Sequence, residues 1–325
     1  MLSANAHADE ADLVKAARKE GSVTWYIAQV DGETAQQMGR AFSKQYPGIN
    51  ASVIRTTGQV AYERLQQDLR NDSPECDVFS TTDIAHMPAL MKRKALANYV
   101  PPNAAAMAPA FKGLGQDGYF YPTTSTLMLI IYHSQRVKPA DAPKGWNDLL
   151  DPKWKGRVAF GDPAFSGYVG VWAVEMKKLY GWKWFQTLAK NNPRIGRSGL
   201  DPLTLINAGE CLCGLAPLSG ALLSADKGNP IGVVYPTDGS VLCIGPSGVL
   251  AKAPHPNAAR LFMNWLLSKD FAQLCVDARV TPVRDDAVAK AGAKPVSEVK
   301  LLRLTTAEII KGVPEVISQW RDTFS

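Results

Sequence analysis

Four short turns place hydroxyls, glycines and one arginine where backbone N–H groups come free: Arg55-Thr56-Thr57-Gly58, Ser80-Thr81-Thr82-Asp83, Asp162-Pro-Ala-Phe-Ser166-Gly167 and Gly196-Arg197-Ser198-Gly199. Each stands just before a predicted helix. The first N–H groups of a helix lack partners, and its dipole favours negative charge, so such turns bind anions. Arg197 adds a fork of donors that matches a carboxylate or phosphate. The chemistry is capture of an anion, not bond cleavage. Any one such turn is ordinary helix capping, and Arg197 alone reads equally well as a solvated surface residue. The first two turns, however, close successive strands of one predicted sheet. Gln29, where the first strand ends, Ser125 in a run of hydroxyls, and Ser219 at a helix start extend the candidate set. Tyr168 and Tyr235, near element ends like Trp25 and Tyr26, are candidates to face a cleft.

Catalysis and metal chemistry find little support. Gly113-Leu-Gly115-Gln-Asp-Gly118 is a literal G-x-G-x-x-G, but Tyr-Phe-Tyr-Pro follows and reads as strand, where a dinucleotide site needs a helix. His86, His133 and His255 lie in unrelated settings: a helix entry, a strand end and a proline-flanked turn. No Ser-His-Asp arrangement emerges from them. Five cysteines are present: Cys76, Cys211, Cys213, Cys243 and Cys275. Cys211 and Cys213 point to one face of a predicted strand, where either could meet Cys243, and the pairing stays open. Cys-x-Cys lacks a second ligand pair at zinc-like spacing. No metal and no cofactor are expected.

The elements that must position these turns alternate between helix and strand. Helices are predicted over Asp9–Glu20, Glu33–Gln45, Val60–Asn71 and Met87–Lys94, with strands over Val23–Ile27, Ile49–Ile54 and Asp77–Ser80. That order argues a parallel sheet with helices on both faces, whose ligands sit beyond the carboxyl ends of the strands. A loop rich in Ala, Pro and Gly covers 101–122. A strand from Tyr119 to Tyr132 is then broken at Thr123-Thr124-Ser125-Thr126. A second α/β region runs to about Val241, with strands at Arg157–Phe160, Cys211–Ala216 and Ile231–Tyr235. Its helices fall at Gly170–Tyr180, Trp182–Lys190, Pro202–Ala208 and Ser219–Lys227. Later helices are predicted at Pro256–Leu267, Asp270–Ala278, Ser297–Leu304 and Ile309–Phe324. Trp172, Trp182, Trp184 and Trp265 fall at core spacing.

The chain of 325 residues is long enough for two domains, and 46% hydrophobic with 20% charged content is globular. Net charge is +6, yet the basic residues are scattered on amphipathic helix faces, so no nucleic-acid partner is expected. Ala6-His7-Ala8 fits a signal-peptidase site, giving export with cleavage after Ala8 and a mature chain from Asp9.

Several segments together carry a family resemblance. Lys144-Gly-Trp-Asn-Asp-Leu-Leu-Asp-Pro-Lys-Trp-Lys-Gly-Arg157 and the following Val158-Ala-Phe-Gly-Asp-Pro-Ala-Phe-Ser-Gly-Tyr168 are the most informative. Ala41-Phe-Ser-Lys-Gln-Tyr-Pro-Gly48, Asp77-Val-Phe-Ser80, Ile131-Tyr-His-Ser134, Val234-Tyr-Pro-Thr-Asp-Gly239 and Ala253-Pro-His-Pro-Asn-Ala-Ala-Arg-Leu-Phe262 extend it over nearly the whole chain. The sequence resembles the ferric-binding-type subgroup of bacterial periplasmic solute-binding proteins of ABC importers. The resemblance implies an α/β, two-lobed type II fold: 1–8 a residual signal segment, 9–122 with 246–285 the first lobe, 123–245 with 286–325 the second. It implies a non-catalytic, monomeric, periplasmic protein that closes its lobes on a small solute and delivers it to a permease. Ferric binders of that family use adjacent tyrosines at the position that here reads Ala216-Pro217-Leu218-Ser219-Gly220, without tyrosine. The expected ligand is therefore a small organic anion or zwitterion: a phosphate ester, phosphonate or carboxylate. Asp31, Asp83, Asp201 and Asp238 form an expected acidic rim for a cationic group. A ferric or other metal carrier is the alternative, and an enzyme on the same scaffold a further one.

Overall fold

A computed structural model describes residues 2–116, 118–288, 290–294 and 296–324, with side chains from residue 10 onward except that of Ser297. The chain forms two compact units. Unit 1 comprises Met1–Ser125 with Ile244–Ala289, and unit 2 comprises Thr126–Cys243 with Lys290–Ser325.

Unit 1 opens with α1 (Leu2–Glu20), β1 (Ser22–Ile27), α2 (Gly32–Gln45), β2 (Asn50–Arg55), α3 (Gly58–Arg70), β3 (Val78–Ser80) and α4 (His86–Lys92). α1 begins at Leu2 rather than at Asp9. β2 and β3 pair in parallel on either side of β1, with Ile27 opposite both Arg55 and Ser80. All three strands therefore end at one edge, where the Thr-rich turns follow. The loop 101–122 contains two short 3-10 turns, Pro102–Ala106 and Pro109–Phe111. The Gly113–Gly118 segment, whose Asp117 lies outside the described residues, is followed by a strand and not a helix.

Strand β4 (Tyr121–His133) is unbroken and buried along its whole length. Its hydroxyl run does not interrupt it: Thr123, Thr124 and Ser125 find hydrogen-bond partners, while Thr126 Oγ1 is buried without one among the described residues. β4 and β9 (Ser240–Val249) both continue from one unit into the other, and β9 runs antiparallel to β3. α9 (Pro256–Trp265) and α10 (Lys269–Asp277) complete unit 1. Trp25 and Tyr26, expected near a cleft, are fully buried. Trp25 packs edge-on to Phe262 at 5.0 Å, Phe262 meets Phe42 at 4.8 Å, and Trp265 meets Phe42 at 5.4 Å. Edge-to-face contacts of this kind add to the burial that drives the core.

Unit 2 contains β5 (Val158–Phe160), α5 (Gly167–Tyr180), α6 (Lys183–Ala189), β6 (Arg194–Ile195), α7 (Asp201–Asn207), β7 (Cys213–Pro217), α8 (Leu218–Asp226), β8 (Ile231–Val234), β10 (Leu301–Leu302) and α11 (Thr306–Phe324). β4 lies antiparallel to both β7 and β8, while β5 is parallel to β6 and β7. The segment Trp146–Leu150 is a 3-10 turn. The predicted helix Ser297–Leu304 is replaced by a 3-10 turn at Val296–Glu298 and by β10, which pairs with Ser240 and Val241 of β9. Backbone pairing with a distant strand overrides the local pattern there. The tryptophans pack as expected: Trp172 stacks on Phe160 at 5.4 Å and meets Phe185 edge-on at 5.7 Å. All five cysteines are buried and free, so no disulfide forms between Cys211 or Cys213 and Cys243.

Candidate ligand-binding site

In unit 1 the candidate centre is the start of α3. Thr57 is its N-cap, in extended backbone, yet its side chain makes no capping bond. Thr57 Oγ1 is buried without a hydrogen-bond partner among the described residues. The turn after β3 lies directly against this helix end. A Cβ built on Gly58 would stand 2.8 Å from Thr82 Oγ1 and 3.4 Å from Thr81 Oγ1. A side chain at 58 would thus force the Thr82 hydroxyl to shift. Thr56, Thr57, Gly58, Thr81 and Thr82 come together as expected from their strand ends.

Two of the predicted contacts have other roles. Gln29 is only 6% exposed, and its amide is fully engaged. It donates to Thr81 O at 3.3 Å and Pro246 O at 3.0 Å, and accepts from Thr124 Oγ1 at 2.9 Å. Thr81 is wholly buried, and its hydroxyl lies 2.9 Å from His86 Nδ1 while accepting from Asp83 N. Ser125 is likewise committed, bonding to Thr281 O through both its amide and its hydroxyl. The side chains of these three residues are engaged in hydrogen bonds within the protein.

His86 was not singled out as a site residue from sequence. It is buried, stacks on Tyr62 of α3 at 3.9 Å with rings 4° apart, and lies 3.6 Å from the Asp83 carboxylate. Burial lowers its pKa from the ordinary range, against the opposing pull of Asp83. The only signals in sequence are Tyr62 one turn after Gly58 and His86 five residues after Thr81.

In unit 2 Ser166 is the N-cap of α5, in extended backbone and again without a side-chain capping bond. A Cβ on Gly199 would lie 3.1 Å from Ser166 Oγ, and one on Gly220 would lie 2.6 Å from Leu200. The starts of α5 and α8 therefore converge on the 197–200 turn, bringing Ser166, Gly167, Ser198 and Ser219 into one neighbourhood. Arg197 is exposed, with its guanidinium 4.5 Å over the Phe165 ring. Ser198 is tied to Asp201 through both its amide and its hydroxyl. Tyr168 is buried, so it does not offer its ring to solvent. Tyr235 is set apart: its hydroxyl accepts from Lys294 N, whose ammonium lies 5.1 Å from the ring.

Of the expected acidic rim, Asp31 caps α2 through Thr34 N, Asp83 accepts from Ala85 N, and Asp201 holds Ser198. Asp238 accepts from Trp146 N at 2.9 Å and Tyr180 Oη at 2.6 Å, both at Oδ2, while its Oδ1 is buried without a hydrogen-bond partner among the described residues. Among the described residues no cluster of His, Cys, Asp and Glu could hold a metal ion, and no helix is long and apolar enough to cross a membrane.

The starts of α3 in unit 1 and α5 in unit 2 each carry a hydroxyl residue at the N-cap that makes no side-chain capping bond. Residues 73–311 match the model of the bacterial extracellular solute-binding proteins, and the chain belongs to that family. A relative of no stated function from Haemophilus influenzae is 31% identical over 138 residues, 41% of this chain and 40% of its own length. This chain thus spans less than half of that relative. A periplasmic protein of Salmonella typhimurium, provisionally named for 2-aminoethylphosphonate binding, is 26% identical over 265 residues, 77% of this chain and 71% of its own. Among solved structures, the periplasmic binding protein AfuA of Actinobacillus pleuropneumoniae, with exogenous fructose-6-phosphate bound, gives a TM-score of 0.85 at 22% identity, covering 94% of this chain and 98% of its own. Iron-bound HitA of Pseudomonas aeruginosa gives 0.79 at 22% identity, covering 93% and 99%. At these identities the two structures establish the type II periplasmic-binding fold. The chain is a periplasmic substrate-binding protein of the ABC-transporter class, a binding protein and not an enzyme.

Proposed function

We propose that the solute is a small organic phosphate ester or phosphonate, and that its anionic group is received at the start of α3. The observation that carries this reading is the buried, unpartnered Thr57 hydroxyl at an uncapped helix end, packed against the Thr81-Thr82 turn. An anion there completes the hydrogen bonding that the protein leaves open. The Salmonella relative's name and the net charge of +6 point the same way. A carboxylate is the weaker form of the same chemistry. Iron is not favoured, because Ala216-Pro217-Leu218-Ser219-Gly220 offers no tyrosine.

In unit 2, Arg197 with Ser166, Gly167 and Ser219 forms a second set of anion-binding donors. Its loss is testable: Arg197→Ala should weaken an organophosphate by about 1.5–3 kcal/mol, the scale of a charge-assisted bond. Calorimetry showing unchanged affinity removes Arg197 from the site. The rest of the proposed role is export with cleavage after Ala8, supported by the Ala6-His7-Ala8 pattern, action as a monomer, delivery to a membrane permease, and no nucleic-acid partner. Thermal-shift screening against sugar phosphates, phosphonates, carboxylates, amines and ferric citrate tests the ligand class, since a ligand specific to the folded state raises the midpoint by mass action. A shift with ferric citrate alone refutes the proposal.

A further inference from the structure

We infer that His86 is a positioning residue for the anion-receiving end of α3: one imidazole ring holds both the helix and the turn that faces it. The inference rests on the reading that an anion binds at the start of α3. Its grounds are geometric. Gly58 and Tyr62 are four residues apart and so share one helix face. Gly58 abuts Thr81 and Thr82, and one turn further on Tyr62 lies flat on His86, 3.9 Å away and 4° from parallel. The position of α3 along the turn and its rotation about its own axis are therefore fixed at two points.

The ring's second face of action is its nitrogens. Nε2 lies 3.6 Å from Asp83 Oδ2, which favours a proton on that nitrogen and leaves Nδ1 as an acceptor. Thr81 Oγ1 then donates to Nδ1 at 2.9 Å while accepting from Asp83 N at 3.2 Å. The hydroxyl's orientation is thus dictated by the histidine. The groups around the ring are Asp83 and Thr81 from the turn, Tyr62 from α3, and Phe79 of β3 at 6.3 Å. His86 is 6% exposed, so it acts through these neighbours and does not meet the solute.

Three full-length variants separate the two functions of the ring. His86→Phe keeps a ring for Tyr62 but loses the bond to Thr81. His86→Ala loses both. His86→Asn keeps a polar group near the position of Nδ1. Amide hydrogen exchange over residues 61–65, the first hydrogen-bonded amides of α3, is compared with that of α11, and affinity is measured by calorimetry with 2-aminoethylphosphonate. Exchange over 61–65 should accelerate about ten-fold or more in His86→Ala, which loses the stacking, and less in His86→Phe, which keeps it, with α11 unchanged. Affinity should fall about ten-fold in both, with most of it restored in His86→Asn. Unchanged exchange at 61–65 in His86→Ala, an equal rise across all of unit 1, or a rise in His86→Ala with unaltered affinity each overturns the inference. If the unaltered protein binds no anion, the functional reading fails by itself. The exchange comparison still decides whether His86 holds α3 to the turn.

Discussion

Gly58 lies where one added methyl group would disturb the proposed anion site. A Cβ there must displace the Thr82 hydroxyl, 2.8 Å away. Gly58→Ala should therefore cost about ten-fold or more in organophosphate affinity while moving the melting temperature little, because the clash falls on one hydroxyl that can turn away and not on backbone. Calorimetry and thermal melting on the same sample check both halves. His86 gives a pH dependence. Its pKa is lowered in the folded state, so the unfolded chain takes up the proton first as pH falls. The associated stability is complete above the ordinary histidine value and is lost as pH drops through the lower, folded value. The melting temperature of the unaltered protein should accordingly fall more steeply than that of His86→Phe between about pH 7 and pH 5; parallel curves contradict the assignment. Thr57 and Gly58 were legible in sequence because a strand end and a helix start are local events. The role of Gln29 was not, since its amide bonds to Pro246, 217 residues away.

At the scale of elements, the polar network beside β4 explains why a Thr-Thr-Ser-Thr run makes a continuous strand. Trp25 Nε1 donates to Ser80 Oγ at 2.7 Å, which lies 2.6 Å from Ser247 Oγ, itself 2.6 Å from Thr123 Oγ1. Gln29 closes the network through Thr124 and Pro246. Periodicity reads such hydroxyls as a break, whereas partners for Thr123, Thr124 and Ser125 let them be buried, with Thr126 Oγ1 left without one among the described residues. The network has no room to spare at Gly245, where a Cβ would fall 2.4 Å from Thr124 Oγ1 and 2.5 Å from Gln29 Cδ. Gly245→Ala should destabilise the protein by about 1–3 kcal/mol, measured by urea unfolding. An unchanged midpoint shows that the network yields freely. The helix starts of α3 and α5 fall two and three residues before the expected Val60 and Gly170, at the glycines that follow the hydroxyl turns. The stretch 297–304 was misread because β10 exists only through pairing with Ser240 and Val241.

For the molecule as a whole, the order of helices and strands and the family segments were enough to reach the fold, and the missing tyrosines were enough to move the ligand away from iron. The hydrogen bonds that Asp31, Asp83, Asp201 and Asp238 accept were not visible in sequence, because their partners depend on the folded geometry. The most direct measurement is isothermal titration of the full chain with 2-aminoethylphosphonate and with fructose-6-phosphate, each repeated on Gly58→Ala. The account predicts saturable one-to-one binding of at least one of them, markedly weakened by the substitution. Absence of heat with both, or equal binding by the substituted protein, contradicts it.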